Sequence, residues 1–195
     1  MLSRRANRFL ETLERRPCIA TSDVEAIILD QGYPCYPCWL EFHERYAGYL
    51  EVFGRDSAIW GLAHLSPQWL LPRKVDVDQE TNEDVWYITC ADVHPSYNYR
   101  LDNKGEFLGG PAANFDIHVE RAGAFFDFQQ NGHCRPLTSG ELRTPQLREM
   151  VGRALRVDLV AEASDKFFTY YMNDTHLVVE SGKTQALVRG MIRIP

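Results

Sequence analysis

The sequence predicts an α+β fold: an antiparallel sheet packed against helices, with a C-terminal extension of one helix and more strands. Three observations predict it. Helical apolar spacing is confined to the N-terminal quarter and to two later segments. The other patterned stretches are short runs rich in Val, Ile, Tyr and Trp, bounded by turn residues. The resulting order is helices, a meander, a helix, another helix and three strands, without the strand–helix alternation of a parallel design.

Each element follows from its residues. Residues 3–15 read as a helix with Phe9, Leu10 and Leu13 on one side. Ser22-Asp23-Val24-Glu25 has the capping-box pattern and opens a second helix with the stripe Val24, Ile27 and Ile28, stopped at Gly32. Pro37 suits the first turn of a third helix, on which Trp39, Phe42 and Tyr46 share a face. Residues 49–53, 58–62, 85–90, 97–101 and 106–108 read as strands, and 76–84 as a loop. Asp102-Asn103-Lys104-Gly105 is hairpin-turn chemistry. Asn114 or Asp116 can cap a helix with Val119, Ala122 and Phe126 inward, and residues 131–140 read as a linker. Thr144-Pro145 opens a helix with Leu147, Met150, Val151, Ala154 and Leu155 at amphipathic spacing. Residues 167–172, 176–180 and 185–194 close the chain as strands.

Composition narrows the function classes. The 195 residues are 45% hydrophobic, 12% aromatic and 25% charged, enough for a core without disulfides or metals. No apolar run reaches the roughly 20 residues of a membrane helix. Glu11 and Glu14 interrupt the N-terminus where a signal peptide would be apolar. Five cysteines, an odd number, do not suggest a disulfide framework. The expectation is a cytoplasmic protein with no membrane partner. The net charge of −6 is unevenly spread: residues 17–134 carry −11, flanked by +3 over 1–16 and +3 over 135–156. Such a body repels nucleic acid and attracts a basic partner.

The motifs for catalysis are weak. Cys35-Tyr36-Pro37-Cys38 stands at a helix start, where backbone N–H groups can stabilise a thiolate, so a Cys-dependent redox enzyme or hydrolase is the alternative reading. It follows a helix and Gly32-Tyr33-Pro34, whereas a thioredoxin-like site follows a strand. The six histidines show no HxxxH or HExxH spacing, and there is no P-loop. The segment 76–84 lacks the Gly and terminal Glu of a calcium loop. No cofactor or metal is expected. Asp76, Asp78, Glu80, Glu83 and Asp84 put five acids in nine residues, a candidate partner-binding surface. Trp60, Trp69 and Trp86 are candidate anchors within an interface, with a core position the commoner role for any one of them.

Residues 21–128 resemble the SUKH superfamily, on Gly32-Tyr33-Pro34, on the segment Trp39 to Tyr49, and on Leu101-Asp102-Asn103-Lys104-Gly105-Glu106-Phe107, followed by the helix of 117–128. Ala47 stands where the family usually carries Gly. The resemblance implies a small α+β protein, and in many members a bacterial immunity protein that neutralises a secreted polymorphic toxin. It implies no catalytic residues. On this reading residues 1–134 are the SUKH-like domain and 135–195 a C-terminal extension on the same core. The expected partner is a cognate toxin, a basic nuclease-type domain being the electrostatic fit.

Overall fold

A computed structural model describes residues 1–53, 56–63, 74–80, 84–94, 98–110, 112–152 and 157–194. Its elements run α1 (Arg4–Thr12), β1 (Glu14–Arg15), α2 (Thr21–Asp30), α3 (Pro37–Tyr46), β2 (Tyr49–Phe53), β3 (Asp56–Trp60), β4 (Val77–Gln79), β5 (Trp86–Thr89), β6 (Ala91–His94), β7 (Arg100–Asp102) and β8 (Phe107–Leu108). They continue with α4 (Phe115–Gln130), β9 (Cys134–Pro136), a 3-10 turn (Glu141–Arg143), α5 (Pro145–Gly152), β10 (Asp158–Leu159), a second 3-10 turn (Ala161–Ala163), β11 (Phe168–Met172), β12 (His176–Ser181) and β13 (Leu187–Arg193). The fold is α+β, and among the described residues every strand pair is antiparallel.

The chain divides into two compact units, Glu11–Gly110, and Met1–Leu10 with Pro111–Pro195. These units divide at 10/11 and 110/111, whereas the sequence reading divides the chain at 134/135. Apolar pattern explains the difference: Ala124 and Phe128 of α4 are buried among Val160, Tyr170, Leu177, Val179 and Met191, so α4 joins the C-terminal strands.

In the Glu11–Gly110 unit, α2 and α3 accompany two four-stranded sheets, ordered β1-β2-β3-β6 and β4-β5-β7-β8. Strand alternation sends Glu51, Ala58, Trp60 and Ala91 of the first sheet inward, where all four are buried. The Trp60 ring lies 6.0 Å from that of Phe107, which faces inward from β8. From α3, Trp39 is fully buried and donates its indole N–H to the Asp102 carbonyl at 2.7 Å. That bond ties the helix to the hairpin, where the Asp102 carboxylate accepts from the N–H of Lys104 and Glu106.

Local corrections have local causes. Helix α2 begins at Thr21, with Ala20 as a cap lacking a side-chain bond, so the capping-box reading of Ser22 fails. Ala47 leaves α3 in an extended conformation, and Gly48 alone makes the turn at φ +87°. The 131–140 linker contains β9, whose Pro136 lies on a sheet edge and so costs no ladder bond. Strand β6 went unread because Cys90 separates it from β5 by a single residue.

In the other unit, the sheet β10-β11-β12-β13-β9 carries cores on both faces. Leu177 and Val179 face the α4 side, while Val178 packs with Leu142 and Leu147 of the 3-10 turn and α5. Asn114 caps α4 by accepting from the Ile117 N–H at 3.0 Å. Thr144 caps α5 through Leu147 N–H, as expected; Ala154 and Leu155 lie outside the described residues.

Candidate partner-binding surface

The segment 76–84, expected as a loop, contains a strand. Val77–Gln79 pairs with β5 in the register Val77↔Ile88, Asp78↔Tyr87 and Gln79↔Trp86. Side chains alternate across the sheet. Val77, Ile88 and Leu101 share the inward face, with Ile88 and Leu101 almost fully buried. Asp76, Asp78 and Glu80 share the outward one with Tyr87, Thr89 and Arg100, and all three acids are exposed.

Each acid is held. Thr89 donates its hydroxyl to Asp76 at 2.8 Å, and Tyr87 donates its phenol to Glu80 at 2.8 Å. Asp78 accepts from the Gln79 N–H at 2.9 Å and from Arg100 at 3.3 Å. Arg100 is a basic partner from outside the segment, which has no Lys or Arg of its own. It lies 22 residues away in sequence and reaches Asp78 only because β7 pairs with β5. Asp84 is exposed and its carbonyl accepts from Asn103 Nδ2 at 3.0 Å, while Glu83 lies outside the described residues. The structure thus gathers Asp76, Asp78 and Glu80 on one face. Sequence reasoning missed Tyr87, Thr89 and Arg100, although the alternation Trp86-Tyr87-Ile88-Thr89 carried the signal for the first two.

Charge is partitioned between the units. Glu11–Gly110 contains 17 acidic and 8 basic side chains, a net −9, and the remainder of the chain carries +3. The potential around the first unit is negative, and the exposed carboxylates on β4 contribute to it.

Of the tryptophans, Trp60 takes the core role that is the commoner one for such a residue. Trp60 is 1% exposed and donates to Glu51 at 3.0 Å, so it is a core residue and no anchor. Trp86 is half-buried, 6.3 Å edge-on from Tyr33, and Trp69 lies outside the described residues.

Burial pushes both Cys35 and Cys38 upward from the ordinary thiol value, and the negative charges of Glu25 near the first and Asp102 near the second push the same way. His43 is buried and fully engaged. Its Nδ1 accepts from the Leu62 N–H at 3.1 Å, which leaves Nε2 to donate to the Ile19 carbonyl at 2.9 Å. Among the described residues no group of three His, Cys, Asp or Glu side chains could hold a metal, and no helix is long and apolar enough to cross a membrane.

No family model, no curated protein and no solved structure matches this chain.

Proposed function

We propose that this chain is an immunity protein of the SUKH type, which binds and neutralises a basic secreted toxin domain in the bacterial cytoplasm and catalyses no reaction itself. The observation that supports this reading best is the charge partition: −9 in one compact unit, with Asp76, Asp78 and Glu80 displayed on one sheet face. Fixed carboxylates of one sign steer a basic partner toward the surface and repel nucleic acid. A nuclease-type toxin, which must itself be basic to hold phosphates, is the partner of matching chemistry.

The Cys-dependent enzyme is the weaker reading, because a nucleophilic cysteine needs a lowered pKa and both candidates are raised. No cofactor is required on this account.

The test is co-expression in bacteria with a basic nuclease-type toxin domain, taken from the neighbouring gene where one is encoded there. Growth should be restored, and the double variant Cys35→Ser/Cys38→Ser should protect as well as the parent. Growth arrest despite accumulation of folded chain would refute the immunity reading. Loss of protection in the folded double variant would favour the enzyme.

A further inference from the structure

The sheet β1-β2-β3-β6 has a second face, opposite Glu51, Ala58 and Trp60. The register places Glu14, Leu50, Ile59 and Asp92 in one row across its four strands, each opposite the next. Directly opposite residues project to the same side of a sheet. The row therefore reads acid, aliphatic, aliphatic, acid over three strand spacings, about 14 Å. Val52 stands two residues from Leu50 on the same side, opposite the neutral Ser57. Leu50 and Ile59 are half-buried, and Glu14 and Asp92 are exposed.

Val52 makes this face unusual. At 65% it is the most exposed large hydrophobic residue described in its unit, ahead of Leu29 at 55% and Leu108 at 38%. It lies on β2 two residues past Leu50, where the described pairing with β1 ends, and it pairs with Ser57 of β3. Acids on the edge strands have an ordinary explanation, since charge there discourages pairing with another sheet. That explanation does not reach Val52.

An apolar centre with a charged rim is the anatomy of a protein interface. We infer that the face of Leu50, Val52 and Ile59 is the centre of the partner interface, and that it takes a protein surface presenting one aliphatic or aromatic side chain between two cations. Charge complementarity selects this occupant. Glu14 keeps one carboxylate oxygen beyond its 3.0 Å bond to Arg16, and the unit carries −9. A second copy would oppose acid to acid. The inference rests on the immunity reading and moves the energetic centre of binding from β4 to this sheet, leaving the β4 acids to steer.

The test is surface plasmon resonance of the full chain on the basic nuclease-type toxin domain of the co-expression test, with sedimentation of the chain alone. Val52→Lys changes a side chain already in solvent, and circular dichroism checks that it folds. It should raise the dissociation rate about tenfold or more, as loss of a central anchor does. Glu14→Gln with Asp92→Asn should mainly slow association. A parental dissociation rate for Val52→Lys overturns the inference. If that result comes with slowed association for Asp76→Asn/Asp78→Asn/Glu80→Gln, the interface lies on β4 and the immunity reading stands. A parent that does not bind the toxin overturns both. A parental dimer dissolved by Val52→Lys makes the occupant a second copy, which also overturns it.

Discussion

Arg121 of α4 and Asp165 in the loop before β11 form an ion pair of 2.7 Å, with side chains only 6% and 5% exposed. Asp165 also accepts from the backbone N–H groups of Ala113, Phe167 and Phe168. Burial opposes the charge on Asp165, but these donors and Arg121 outweigh it and hold the carboxyl below its usual range. Arg121 in turn donates to the Ala163 carbonyl and lies over the Tyr170 ring.

This arrangement predicts an asymmetry. Asp165→Ala leaves a buried guanidinium uncompensated and three N–H groups without an acceptor, and should cost about 3–5 kcal/mol. Arg121→Met leaves a carboxylate that still accepts three hydrogen bonds, so it should cost less. Urea unfolding of both variants checks the order, and equal or reversed losses would contradict it.

His43 predicts a pH dependence of stability. Burial, its largest influence, lowers its pKa below the ordinary value, with Arg15 acting in the same direction. Protonation would put a second N–H against the Leu62 N–H that Nδ1 now accepts. The folded chain therefore binds this proton less readily than the unfolded one. Its contribution is complete above the unfolded value, about 6.5, and falls with decreasing pH by up to about 1.4 kcal/mol per unit. Unfolding free energies between pH 8 and pH 5 should show that slope, reduced in His43→Gln. An equal slope in the variant would assign the dependence elsewhere.

Two glycines separate strain from collision. Both Gly32 and Gly48 have positive φ, +82° and +87°. A Cβ on Gly32 would meet nothing within 4 Å, whereas one on Gly48 would lie 2.2 Å from the Arg16 carbonyl oxygen. Gly32→Ala should cost about 1–2 kcal/mol, the backbone strain alone. Gly48→Ala should cost clearly more, because β1 would have to leave its place beside β2. Thermal unfolding of the pair checks this, and similar losses would contradict it.

Periodicity made the helices and the C-terminal strands readable from sequence, since Leu147, Leu177 and Val179 repeat at the spacing of their elements. What stayed hidden depends on pairing between distant segments. Val77–Gln79 is a strand only because β5 offers it a ladder, and its acids make the isolated segment look like a loop. Arg100 is invisible as the partner of Asp78 until β7 lies beside β5. The division at 110/111 is hidden for a related reason: α4 is amphipathic in sequence, but nothing in its own pattern says which strands its apolar face will cover.

Salt-dependent binding kinetics test the central claim most directly. Asp76, Asp78, Glu80, Glu83 and Asp84 are all changed to Asn or Gln, and association with the cognate toxin domain is followed at two salt concentrations. Long-range steering by surface charge is screened by salt and acts mainly on the association rate. The account predicts slower association for the variant, a weaker dependence on salt, and a dissociation rate close to the parent's. Association as fast as the parent's at both salt concentrations would contradict it, and would leave these acids as a solvated sheet edge with no part in recognition.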